Sequence, residues 1–320
     1  MISKFKEDFF WMLRKEKGYY PWVDYDRWRL GKLLDECHAM CLKCKHAHEG
    51  SNEDLIRTLV SRNVCENELI DLFLKALIRA EIRFVSRYVP QRSHEERLTG
   101  NLVAEIDNSI HLIADEVRNA SLKRYSESRI IDFLYYDLSR GGKIEKETGA
   151  DLGFILVVDL PDHSFLVKSL ILQAKKIHNS CQIDDAQYEV LKRWCAEEGK
   201  ECPCYLFYDM NLETLTSPLV LPIDELTIQT KHEEATERNS GSFSLSFNDV
   251  CKEGYPLSIF VALRLTAKEY GKAHSSFKDA REYFDSLSRE QWFNGRVGIA
   301  SIGKKINFNT DNNEILEISI

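Results

Sequence analysis

Two apolar runs with a turn between them, ADLGFILVVDL (150–160) and FLVKSLILQAK (165–175), constrain this chain more than any other feature. PDHS (161–164) between them is turn chemistry, so the pair predicts two strands meeting as an antiparallel hairpin. The second run does not end as a buried strand should. In LILQAKK (170–176), Leu170, Ile171 and Leu172 give way to Gln173 and Lys175. These lie two residues apart, which in an extended chain means on one face. An amide and an ammonium side by side are costly to bury unpaired. The outer ends of a hairpin come together, so Asp151, at the start of the first strand, should converge with Gln173 and Lys175. The plainer reading of the same residues is a solvated strand face, with Asp151 closing a turn.

Around the hairpin the pattern alternates helix and strand. Residues 1–90 read as a helical region, with a stripe through Leu30, Leu33, Leu34, Cys37, Met40 and Cys41, a second at 55–60, and a third helix over Glu66 to Tyr88 that Pro90 ends. A helix is predicted over 98–120, with Leu102, Ile106, Ile110 and Ile113 on one face. DFLYYDLS (132–139) is an aromatic-rich strand, and Gly141-Gly142 after it suits a hairpin turn. DDAQYEVLKRWCAEEGK (184–200) reads as a helix and CYLFYD (204–209) as a strand. Beyond 210 the signal weakens: 233–243 reads as an exposed loop, 259–270 and 277–287 as helices, and the tail as short strands. The fold class is therefore mixed α/β, or α+β. Three regions are expected: a helical N-terminal region (1–90), a core (91–210) and an α+β C-terminal region (211–320).

Composition bounds the function. The chain has 320 residues, 43% hydrophobic and 29% charged, enough for a sizeable core. No apolar run approaches the roughly 20 residues of a membrane helix. The charged N-terminal stretch does not read as a signal peptide, and nine unevenly spaced cysteines do not suggest a disulfide framework. A cytoplasmic protein is the expectation. A net charge of −8 argues against binding nucleic acid by bulk electrostatics, but it leaves room for a local basic cleft.

Gly149-Ala150-Asp151, an apolar strand, a turn and then Gln173-Ala174-Lys175 resemble the PD-(D/E)XK, or restriction-endonuclease-like, nuclease superfamily. The resemblance covers roughly residues 92–210. It departs from the pattern at Ala150, where proline is usual, and at Gln173, where an acid is usual. Glu96 to Leu102 and Gln187 look like further marks of a D…QxK branch. The resemblance implies an αβββαβ core and phosphodiester hydrolysis, of DNA in the first instance, with Mg²⁺ or Mn²⁺. Asp151, Gln173 and the Ala174 carbonyl would hold the metal, and Lys175 would act on the attacking water. Because Gln173 is neutral, a further carboxylate is expected from Glu96 or Glu105 on the preceding helix, or from Glu145 or Glu147. The resemblance also implies a role in prokaryotic defence, with a partner protein or homo-oligomer supplying basic surface. The alternative is a non-catalytic interaction module on the same fold.

Other candidates are weaker. Cys41, Cys44, His46 and His48 lie close enough to suggest zinc, but the cysteines continue a helical apolar stripe and the histidines follow too closely for a usual finger, so buried core thiols are the preferred reading. Cys202 and Cys204 read as packing residues. Trp22, Tyr25 and Trp28 either stack on bases or anchor helices. Neither a phosphate-loop frame nor a G-x-S-x-G element is present.

Overall fold

The computed structural model describes residues 65, 67–91, 93–137, 151–195, 203–210, 217–266, 270–289 and 296–306. The first two predicted N-terminal helices, the aromatic set at 22–28, the Cys41 to His48 cluster, Gly141-Gly142, Glu145, Glu147 and Cys202 lie outside them.

Helix α1 (Glu68–Tyr88) starts where Asn67 accepts hydrogen bonds from the Leu69 and Ile70 amides, and it ends in a 3-10 turn at Val89–Gln91. The single helix expected over 98–120 is two, α2 (Glu95–His111) and α3 (Ala114–Tyr125). Ile110, Ile113 and Val117 are all buried, so the apolar stripe runs through the break and hides it from periodicity. The strands follow: β1 (Ile130–Asp137), β2 (Leu152–Val158), β3 (Leu166–Ile177) and an unforeseen β4 (Ser180–Asp184). Helix α4 (Asp185–Lys192) is capped by Asp184, which accepts from the Gln187 amide, and leads to β5 (Cys204–Asp209).

The C-terminal part departs most from expectation. After β6 (Leu219–Pro222), the segment read as an exposed loop, 233–243, is an exposed turn only over 238–241, between α5 (Leu226–Glu237) and β7 (Ser242–Ser246). Only Ile228 and Ala235 of α5 are buried, so there was no apolar stripe to read. Then come α6 (Phe247–Glu253), β8 (Tyr255–Pro256), a single turn α7 (Leu257–Ile259) continuing as a π-helix over Phe260–Leu265, β9 (Lys272–His274), α8 (Phe277–Arg289) and β10 (Arg296–Gly303).

The main sheet runs in the order β1-β10-β2-β3-β5-β6-β8, with β9 paired to β3 and β4 to β7 apart from it. The expected hairpin between β1 and β2 does not form. β10 lies between them, antiparallel to β1 and parallel to β2. A strand from beyond residue 290 thus fills an interior slot, second from the β1 end of the described strand order, and the expected boundary at 210 does not divide the sheet. β2 and β3 are antiparallel as predicted, and β3 and β5 are parallel.

Helices cover both faces. Leu152, Phe154, Leu156 and Val158 of β2 join a core with α1, α2, α3 and the 257–265 helix. Ile155 and Val157 join the opposite core with α4, α5, α6 and α8. A strand buried on both faces reads as the unbroken apolar run seen in the sequence. Two buried glutamates pin α1. Glu81 accepts from the Ser258 amide (2.7 Å) and hydroxyl (2.8 Å). Glu105 of α2 accepts from Arg83 Nε (2.6 Å), Tyr88 Oη (3.2 Å) and Arg87 Nη1 (3.4 Å). Cys65, Cys181, Cys204 and Cys251 are free thiols, whereas Cys195 is disulfide-bonded.

β10 owes its close approach to the loop after β2 to a glycine. Gly303 adopts φ +123°, and a Cβ there would collide with the Asp159 carbonyl oxygen. Gly303→Ala is therefore expected to cost about 2 kcal/mol or more, in line with strain at such positions. Urea unfolding of wild type and variant measures the loss, and an unchanged midpoint would contradict it.

Candidate functional site

β3 outruns β2. The Asp151 amide donates to the Leu172 carbonyl and Leu152 pairs with Leu172, after which β2 has no residue left to offer. In an antiparallel ladder alternate residues turn their N–H and C=O toward the same neighbour, so Ala174 and Lys176 also face the β2 side. Two carboxylates replace the missing strand. Asp151 Oδ2 accepts from the Ala174 amide (3.0 Å), and Glu95 Oε1 accepts from the Lys176 amide (2.9 Å). Glu95 reaches there from the first turn of α2, which is held over the sheet end by Thr99. The Thr99 hydroxyl is 2.9 Å from Tyr208 Oη of β5.

Gln173 stands opposite Asp151 and is 4% exposed, so its amide is effectively buried. Its Nε2 donates to Asp151 Oδ2 (2.6 Å) and to the Ala174 carbonyl (3.1 Å). Its Oε1 is buried and, among the described residues, has no hydrogen-bond partner. Such an orphan acceptor costs about 1–3 kcal/mol. Lys175, half-buried on the same face as Gln173, makes no ion pair or hydrogen bond among the described residues. Burial pushes the Asp151 carboxyl up from 3.8 to about 6. The Ala174 N–H and Lys175 work against that rise, while Glu95 and Glu96 add to it.

Asp151, Gln173, Ala174 and Lys175 are thus brought together as the hairpin geometry predicts. The remaining expectations fare differently. Glu96 is exposed and influences Asp151 only through its charge. Glu105 lies ten residues beyond Glu95, about 15 Å along the helix, and spends both carboxylate oxygens on Arg83, Arg87 and Tyr88. Gln187 has its Oε1 buried without a hydrogen-bond partner among the described residues. The residue that sequence reasoning missed is Glu95. A signal existed: the stripe Leu98, Leu102, Ile106 extended back by one turn falls on Glu95, three residues before Leu98, and not on Glu96.

Whether these residues fit a metal can be judged from the amide of Gln173. Its NH₂ occupies the place between Asp151 Oδ2 and the Ala174 carbonyl, two hard oxygen donors. Turning the amide over would exchange that donor for the orphaned Oε1 and leave three oxygens facing one point, with Glu95 alongside. The donor set therefore suits Mg²⁺ or Mn²⁺. Among the described residues no three of His, Cys, Asp and Glu gather as a metal centre, so an amide and a backbone carbonyl must complete the set. No family model, curated protein or solved structure matches this chain.

The raised Asp151 value has a consequence for stability. A carboxyl whose folded value lies above its unfolded one favours folding while protonated, and that advantage is lost as pH rises through about 6. A shift of roughly two units corresponds to about 3 kcal/mol. Asp151→Asn is thus expected to match wild type near pH 4 and to exceed it by up to that amount at pH 8. Thermal unfolding at the two pH values tests this, and a difference independent of pH would refute it.

Proposed function

We propose that this chain is a metal-dependent nuclease that hydrolyses phosphodiester bonds of DNA at the end of β3, on a restriction-endonuclease-like core. The observation that carries the reading is the buried Gln173 amide wedged between the Asp151 carboxylate and the Ala174 carbonyl, beside a Lys175 that makes no ion pair among the described residues. The β2/β3 and β3/β5 pairings support the core assignment, along an order over 95–209 of two helices, four strands, a helix and a strand, in which the split helix and β4 are additions to the expected order. The insertion of β10 between β1 and β2 is this chain's own departure from that expectation.

Asp151, Gln173 and the Ala174 carbonyl would hold Mg²⁺ or Mn²⁺, with Glu95 supplying the second carboxylate in place of Glu96, Glu105 or Glu147. Bound there, the ion would polarise the phosphate and acidify a water. Lys175 is free to donate a hydrogen bond to the attacking water, or to the phosphoryl oxygens as negative charge grows on them. Asp151 must be ionised to serve, and the Lys175 charge favours that state. The acidic chain, at net −8, fits an effector that meets DNA as an oligomer or with a basic partner in a prokaryotic defence system.

With Mg²⁺ or Mn²⁺ and plasmid, linear and RNA substrates, Asp151→Ala and Lys175→Ala are each expected to lower cleavage at least a hundredfold, the scale of losing one electrostatic stabiliser. Glu95→Gln should weaken metal binding measured by calorimetry, while Glu96→Gln should not. A protein whose metal binding and cleavage are the same with and without Asp151 would be the non-catalytic module instead.

The pH dependence has a definite sign. Protons compete with the cation for Asp151, so cleavage and metal affinity should both fall as pH drops through about 6. A profile flat from pH 8 to pH 5 would remove Asp151 from the site.

A further inference from the structure

We infer that Arg296 grips a phosphate of the DNA strand next to the one that is cut, so that the cleft is built for a polynucleotide and not for an isolated phosphodiester. This rests on the nuclease reading above. Arg296 opens β10 in register with Leu152, which places it beside the Asp151 end of β2. Along β10, Val297 and Ile299 join the α4-side core, whereas Ala300 and Ile302 join the α2-side core. By that alternation Arg296 turns toward α2. Its Nη1 lies 3.4 Å from where a Cβ on Gly100 would stand. Gly100 is one helical turn past Glu96, so the guanidinium rests on the opening turns of the helix that delivers Glu95 to the Lys176 amide.

The guanidinium is half-buried, and among the described residues it makes no ion pair, hydrogen bond or ring contact. Elsewhere on this side of the sheet the exposed Arg79, Arg97 and Arg118 make no ion pair among the described residues, while three other arginines are matched. Arg83 and Arg87 share Glu105, and Arg124 pairs with Asp162. A permanently charged fork that makes no ion pair among the described residues, with Asp137 of β1 its cross-strand neighbour in register, is the recognition half of an anion site, and its geometry suits two phosphoryl oxygens.

Position separates its task from that of Lys175. Two strand spacings, roughly 10 Å, divide the β10 and β3 backbones. The two side chains also leave opposite faces of the sheet, Arg296 toward α2 and Lys175 toward α4. A backbone crossing the sheet end would meet both cations at different phosphates. The arginine comes from a strand outside residues 92–210, the stretch that carries the family resemblance.

Two substrates separate this role from the chemistry: a DNA duplex, and bis(p-nitrophenyl) phosphate, which has one phosphodiester and no flanking phosphate. Arg296→Gln should cut kcat/KM on the duplex about tenfold or more while leaving hydrolysis of the small diester unchanged. It should also weaken duplex binding in Ca²⁺, followed by fluorescence anisotropy, and lower the salt slope by about one. Arg296→Lys should restore part of the binding. Asp151→Asn should abolish turnover of both substrates and still bind the duplex. Equal losses on both substrates, or a variant that binds and cleaves duplex as wild type does, overturns the assignment of Arg296. If wild type cleaves neither substrate, the nuclease reading fails. The binding arm then still decides Arg296, since unchanged affinity and salt slope overturn it.

Discussion

The amides of Ala174 and Lys176 have no strand to bond, and the rest of the site follows from that. Backbone donors at the end of a buried sheet must find acceptors, because leaving each unmade costs about 1–3 kcal/mol. A continued β2 would have closed the ladder and sealed the sheet end. Asp151 and Glu95 take its place, so the same contacts that complete the sheet gather two carboxylates within reach of one another. The site is a sheet terminus finished with side chains.

Finishing a ladder this way is costly, and the cost is legible in the geometry. Asp151 is held where ionisation is difficult, and Gln173 keeps a carbonyl oxygen in a dry place with nothing to accept. Helix α2 offers an internal comparison. Glu105 is more deeply buried than Glu95, yet its charge is answered by Arg83 and Arg87, and it works as a rivet between helices. Glu95 has only an amide among the described residues, and its charge adds to the strain on Asp151 instead of relieving it. A buried carboxylate with its cations in place is structural. At Asp151 the Ala174 amide and the Lys175 charge are what work against that strain.

Much of this was readable along the chain because it depends on local alternation. The strands 152–158, 166–177 and 204–209 announced themselves as apolar runs, and the side-chain period of two put Gln173 and Lys175 on one face opposite Asp151. What escaped was long-range or polar. No local pattern tells a tail strand that it will slip between β1 and β2, since both neighbours are over a hundred residues away. Helix α5 hides behind its polarity, and the break after His111 hides behind an apolar stripe that continues across it. Glu95 was missed by a single position, because helical phase is least certain in the first turn.

The threading of β10 has a consequence in time. Residues 296–303 occupy an interior slot of the sheet, between β1 and β2, and emerge from the ribosome after every other described strand. Until they arrive, β1 and β2 face each other across a gap one strand wide, and α2 rests on a sheet that is not yet continuous. Such pairings across long loops are slow to form. The arrangement works as a synthesis checkpoint: a chain interrupted before its last strand cannot assemble a finished cleft.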